Sequence, residues 1–160
     1  MNKNIRKYKW ILQGIAIYEV IGGLIGIGII SQQLVQNVNI NILPLIGLPF
    51  YLFSCYAGVR LFIKKEFGLY PSQLLQLLQV LAISFGGYTY LFSSGGLIFL
   101  GFNGATESFQ IQFSIFSSSY YLSFNRLGYP DFFYVNLLPF MILALIEGTK
   151  NRIMQLANPG

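Results

Sequence analysis

Residues 71–100, PSQLLQLLQVLAISFGGYTYLFSSGGLIFL, decide how this chain is built. The stretch carries no charge, and an apolar run of about 18 residues or more is a candidate membrane span. Pro71 suits the first turn of a helix. Thirty residues of helix would measure about 45 Å, longer than the ~30 Å hydrocarbon core. Tilt, a cytoplasmic extension through the glutamines, or a break near Gly86-Gly87 or 93–96 would absorb the excess. On a helix, Gln73, Gln76, Gln79, Gly86, Gly87, Tyr90 and Ser94 share roughly one third of the circumference. The expectation is a third transmembrane helix over 73–98 with one polar stripe. Its amides either bridge to neighbouring helices, the simpler reading, or line a polar path.

Outward from it lie three further apolar runs, 10–30, 42–63 and 132–149. The first, WILQGIAIYEVIGGLIGIGII, holds one ionisable residue, Glu19, near its middle. A charge at that depth costs about 2.5–3.5 kcal/mol on insertion scales, so something must compensate it. Gly22, Gly23 and Gly26 follow at helical spacing, and Gly14 precedes on the same side. Gly22 and Gly26 have the small-xxx-small spacing that lets membrane helices approach closely. In the second run, Gly47, Ser54 and Gly58 offer a matching face, with helix-packing residues Gly22, Gly26 and Gly58 meeting across it. Cys55, the lone cysteine, reads as a small packing residue. Arg60 and Glu147 fall at similar depth near the cytoplasmic ends of the second and fourth runs, a candidate ion pair.

Charge gives the orientation. Nine of the ten basic residues lie in 1–9, 60–65 and 150–152. By the positive-inside rule both termini and the 64–70 loop are cytoplasmic, consistent with four spans. Only Arg126 lies on the other side. The N-terminal run has the outline of a signal peptide, but Glu19 and the missing small-x-small site favour a retained span.

The segment 101–131 is the one sizeable outer piece. FQIQFSIF (109–116) and YYLSFN (120–125) alternate apolar and polar with period two around Ser117-Ser118-Ser119, which predicts a β-hairpin. The alternating 37–42 could add a third strand. Ten of the chain's 27 aromatics lie between Phe109 and Tyr134, suited to covering helix ends, resting on headgroups or docking a partner.

The fold expected is therefore an all-α integral membrane protein: a single domain over 1–160, a four-transmembrane-helix bundle with both termini inside and a small extracytoplasmic β-hairpin or sheet. With no histidine and one cysteine, histidine-based metal sites, Cys–His and Ser–His catalysis and an internal disulfide are excluded within the chain. No phosphate-binding loop or zinc motif is present, and the acids Glu19, Glu66, Glu107, Asp131 and Glu147 are scattered. A lipid-directed enzyme using Glu107 or Asp131 is the weakest reading. The net charge of +5 sits at helix ends and does not mark nucleic-acid binding. The function expected is a non-enzymatic accessory or scaffold subunit in the plasma (inner) membrane of a prokaryote, with the bilayer and a membrane-protein partner or further copies of itself around it. The competing reading is a small proton- or ion-coupled transporter or channel, with Glu19, Gln76 and Gln79 as its intramembrane polar site. No catalytic, cofactor-binding or metal residue is assigned.

Overall fold

The computed structural model describes residues 3–36, 43–63, 69–115, 117–124 and 130–157. Among these, the chain forms α1 (Lys3–Gln36), α2 (Leu43–Ile63), α3 (Leu69–Leu78), β1 (Leu81–Phe85), β2 (Tyr88–Ser93), β3 (Gly96–Asn103), β4 (Ser108–Ile115), β5 (Ser119–Ser123), β6 (Phe132–Asn136) and α4 (Leu137–Ala157). The six strands make one antiparallel sheet in the order β4-β3-β6-β1-β2-β5. The architecture is mixed α/β, which overturns the all-α four-helix bundle.

The decisive stretch is where the expectation fails. What hydropathy marks as one span is a ten-residue helix followed by β1, β2 and half of β3. Gly86 and Gly87 adopt φ of +57° and +86°. Two successive positive φ angles close a two-residue hairpin between Phe85 and Tyr88. Beyond Val80, the side chains alternate between faces: Leu81, Ile83 and Phe85 are exposed, Ala82 and Ser84 buried. β-Branched and aromatic residues favour that pleated surface. A short apolar run cannot be assigned to helix or buried strand by periodicity alone. The Tyr90 hydroxyl donates to Leu78 O at 2.6 Å and satisfies a carbonyl at the end of α3. Burial pushes that phenol up to about 12, and Tyr120 nearby adds to the shift.

The expected hairpin of 109–116 with 120–125 is also corrected. β4 pairs with β3, and β5 pairs with β2. β2 and β3 together form one bent arm, and β4 and β5 the other. In a flat sheet β2 and β3 would stand three spacings apart, about 14 Å, with β6 and β1 between them. Only Ser94 and Gly95 connect them. The sheet must therefore coil sharply, and it does so at this corner. Gly95, at φ +99°, supplies the bend.

The fourth span is displaced too. Residues 132–136 form β6, and the helix runs Leu137–Ala157. Asn136 ends the strand and caps the helix: its Oδ1 accepts from Leu138 N at 3.3 Å and from Ile98 N at 2.9 Å. Pro139 sits in the first turn, where no intrahelical donor is needed. The strand expected at 37–42 and Arg126 lie outside the described residues.

α1 and α2 pack antiparallel, with Gly26 against Tyr51, Gly23 against Cys55 and Gly58 against Ala16 and Val20. Two of the helices, over Arg6–Val35 and Leu45–Ile63, are long and apolar enough to cross a membrane by length and composition. α3 is too short, and α4 carries Glu147, Lys150 and Arg152.

The sheet reverses the usual soluble pattern. Its outer face carries the row Phe109–Phe102–Phe133–Ile83 and the row Ile111–Leu100–Val135–Leu81 across four strands. Phe109, Ile111, Phe113 and Ile115 are 63–72% exposed. The inner face holds Ala82, Ser84, Thr89, Phe99 and Tyr134, all buried. Glu19, Gln76, Gln79, Ser94 and Asn136 are buried as well. Polar groups are thus buried alongside apolar ones such as Phe92 and Phe99, and many large apolar groups face outward.

Candidate functional site

Glu19 lies in the middle of α1 and is fully buried. The face it shares with Gly22 turns towards α3 and the sheet corner. Gly22 has no room for a side chain: a Cβ there would sit 2.7 Å from Gly95 Cα and from the Ser94 carbonyl carbon. That approach sets Glu19 beside α3. Ser72 and Gln76, one turn apart on α3, both donate to Glu19 Oε1, the amide at 2.9 Å. Glu19 Oε2 is enclosed and has no hydrogen-bond partner among the described residues. Both donors to Oε1 are neutral.

A second set of bonds ties the same turn of α1 to the rest of the core. Ser54 of α2 donates to Glu19 O at 2.8 Å and shares a 2.8 Å hydrogen bond with Ser94. Ser94 N donates to Gln79 Oε1 at 2.8 Å. Ser118 donates to Gly22 O at 2.7 Å and accepts from Gly95 N at 3.3 Å. α2, α3 and the corner of the sheet thus converge on residues 19–22 of α1. Each bond is worth about 1 kcal/mol net, but each group left unpaired at this depth would cost about 1–3 kcal/mol.

The expected polar stripe is split among partners. Gln73 donates to Glu147 Oε2 at 3.1 Å, Gln76 to Glu19, and Gln79 serves Ser94 and Leu75 O. Gly86, Gly87 and Tyr90 belong to strands and their turn, not to this helix. Arg60 and Glu147 are not paired. Lys150 takes Glu147 at 3.3 Å, and the Arg60 guanidinium lies 5.8 Å from the Tyr56 ring centre. Gly22, Gly26 and Gly58 all stand at close approaches, whereas Gly14 faces open space.

Ser72, Ser118 and Asn136 went unread in the sequence as site residues, while Ser54 counted there only towards a packing face and Ser94 only towards the stripe. Ser72 precedes Gln76 by one helical turn, so its pairing was available once α3 was known to face Glu19. Asn136 before a helix with proline in its first turn is a capping signal. Ser118 had no such signal, because its role depends on the coiled sheet.

Two of the surface clefts are lined by described residues. One of about 210 Å³ runs between α1 and α2, lined by Ala16, Ile17, Val20, Ile21, Val59 and Phe62 among others. The other, about 270 Å³, lies on the outer face of the sheet by Phe102, Asp131 and Phe133. Neither is lined by Glu19, Gln76 or Gln79. No group of three or more potential metal ligands of the His, Cys, Asp or Glu type occurs among the described residues.

No protein-family model, no curated protein and no solved structure matches the chain.

Proposed function

We propose that the chain is a non-catalytic assembly subunit of a prokaryotic plasma membrane, held there by α1 and α2 with both termini cytoplasmic, and acting through contact with other membrane chains or copies of itself. The observation that carries this reading is the large apolar outer surface, set against polar groups such as Glu19, Gln76 and Gln79 buried within. A soluble monomer rarely exposes a contiguous apolar patch beyond a few hundred Å². Here the outer face of four strands, β4, β3, β6 and β1, is lined by apolar side chains, and so are outward positions of the helices such as Ile17, Leu24, Leu52, Phe140 and Leu145. Arg6, Lys7 and Lys9 at the start of α1 and Arg60 at the end of α2 support the orientation, since the two helices run antiparallel. The enclosed Glu19 then acts as a knot that holds α1, α2 and α3 in register.

The experiment is affinity purification of the tagged chain from its native membrane in mild detergent, with mass spectrometry of co-purifying chains. Stoichiometric recovery of a second chain or of an oligomer upholds the reading. A partnerless monomer, or a chain that alkaline carbonate washes off the membrane, refutes it.

A second reading is favoured by one observation, the unpartnered Oε2. An enclosed carboxyl with a vacant acceptor atom and only neutral donors is suited to holding a proton, and such a group is the core of a proton-coupled carrier. Proton flux into vesicles reconstituted with the protein tests it. Glu19→Gln abolishes flux on this reading; equal flux from the folded variant removes it.

A further inference from the structure

We propose that β4 is the interface of a homodimer, in which two copies pair edge to edge, antiparallel, about a twofold axis at Ile111 and join their sheets into one.

β4 is an edge strand whose main packing, among the described residues, is on β3. Which of its backbone groups face outward follows from the pairing. Gly104 N donates to Asp131 O and Ile98 N to Asn136 Oδ1, both on the β6 side. The even-numbered residues of β3 therefore point to β6 and the odd-numbered ones to β4. By register, Ser108, Gln110, Gln112 and Ser114 answer β3. The N–H and C=O groups of Phe109, Ile111, Phe113 and Ile115 point away from the sheet. Natural edges are guarded by lysine, proline or inward charge. Residues 108–115 contain none of these.

The sequence of the edge names the occupant. Residues 108–114 read Ser-Phe-Gln-Ile-Gln-Phe-Ser, the same in both directions about Ile111. A twofold contact brings the same patch of both copies together, so self-complementarity is its requirement. With the axis at Ile111, Phe109 faces Phe113 of the second copy, Gln110 faces Gln112, and Ile111 faces itself. The outward backbone groups are those of 109, 111 and 113, so this register supplies about six inter-chain hydrogen bonds by the antiparallel pattern. The axis is perpendicular to the sheet, which keeps the apolar outer faces on one side. Both edges are uncharged, so no repulsion opposes contact. The inference rests on the assembly reading and deepens it by naming its partner, a second copy of the chain.

Disulfide trapping tests it, in the full chain with Cys55→Ala to remove the native thiol. Hydrogen-bonded antiparallel partners have Cα atoms about 5.5 Å apart, inside the disulfide range of about 4.4–6.8 Å. Mild oxidation of Ile111→Cys should give mostly covalent dimer. Phe109→Cys alone should not, since its two copies would stand about 14 Å apart. Phe109→Cys mixed with Phe113→Cys should. These side chains are exposed, so the variants keep their fold. The proposal fails if Ile111→Cys links no better than the exposed Leu145→Cys on α4, or if Phe109→Cys links with itself equally well. Ile111→Lys should weaken the dimer at least tenfold by native mass in detergent, and an unchanged dimer also overturns it. Carbonate extraction reads the membrane location separately: a trapped dimer that washes off refutes the location alone, and a retained monomer refutes the dimer alone.

Discussion

Replacing Gly22 by alanine adds one methyl group where the helix touches the corner of the sheet. The methyl would meet Gly95 Cα and the Ser94 carbonyl carbon at 2.7 Å, and both are backbone that no rotamer change can clear. Three terms set the outcome. Overpacking a tight contact costs about 1–3 kcal/mol. Moving the corner away stretches the Ser118 bond to Gly22 O, worth about 1 kcal/mol. Alanine returns about 1 kcal/mol of helix propensity relative to glycine. The net is a loss of about 1–3 kcal/mol. Gly14 is the control on the same helix, because a Cβ there meets nothing within 4 Å. Gly14→Ala keeps only the propensity term and gains about 1 kcal/mol. The two substitutions, chemically identical and eight residues apart, thus take opposite signs and differ by about 2–4 kcal/mol. Denaturant unfolding of both variants in one detergent, followed by circular dichroism, measures the difference. Equal stabilities, or a Gly22→Ala chain firmer than Gly14→Ala, would refute the contact between α1 and the corner at 94–95.

Three further outcomes follow from the same geometry. Glu19→Leu removes the acceptor of Ser72 and Gln76 and leaves two buried donors, a loss of about 2–4 kcal/mol, whereas Glu19→Gln keeps an acceptor oxygen and costs less; the order of the two in an unfolding titration checks it. Gly86→Val strains the φ of +57° by about 1–2 kcal/mol although there is space for the side chain, while Gly86→Asn costs less, and a larger loss from the asparagine variant would contradict the turn. Asn136→Leu strands the N–H groups of Ile98 and Leu138, and thermal melting should show a loss of about 2–4 kcal/mol that Asn136→Asp largely avoids.

Some of this was legible in the chain. Glu19 among glycines marked the centre of the molecule, because a carboxylate in an apolar run demands partners, and close-packed glycines bring partners near. The alternation at 109–116 marked a strand. Other readings went astray for one physical reason. Hydropathy measures how apolar a segment is, and not what satisfies its backbone. Residues 71–100 are apolar enough for a span, yet their peptide groups are answered between strands rather than along one helix. Phe132–Asn136 was absorbed into a span in the same way. The Arg60–Glu147 pair relied on depth along helices, and Lys150, three residues from Glu147 on the same helix, was nearer.

Taken alone, the sequence determined the apolar character of the chain, the two long helices, the charge asymmetry at their ends and the problem posed by Glu19. These are properties of composition and short-range spacing. Only the tertiary structure decided the sheet, its sharp corner, and the serines and amides that answer Glu19. Strand pairing joins residues distant along the chain, such as Gly101 with Tyr134. A side chain's spacing to its neighbours carries no record of which strand will lie beside it.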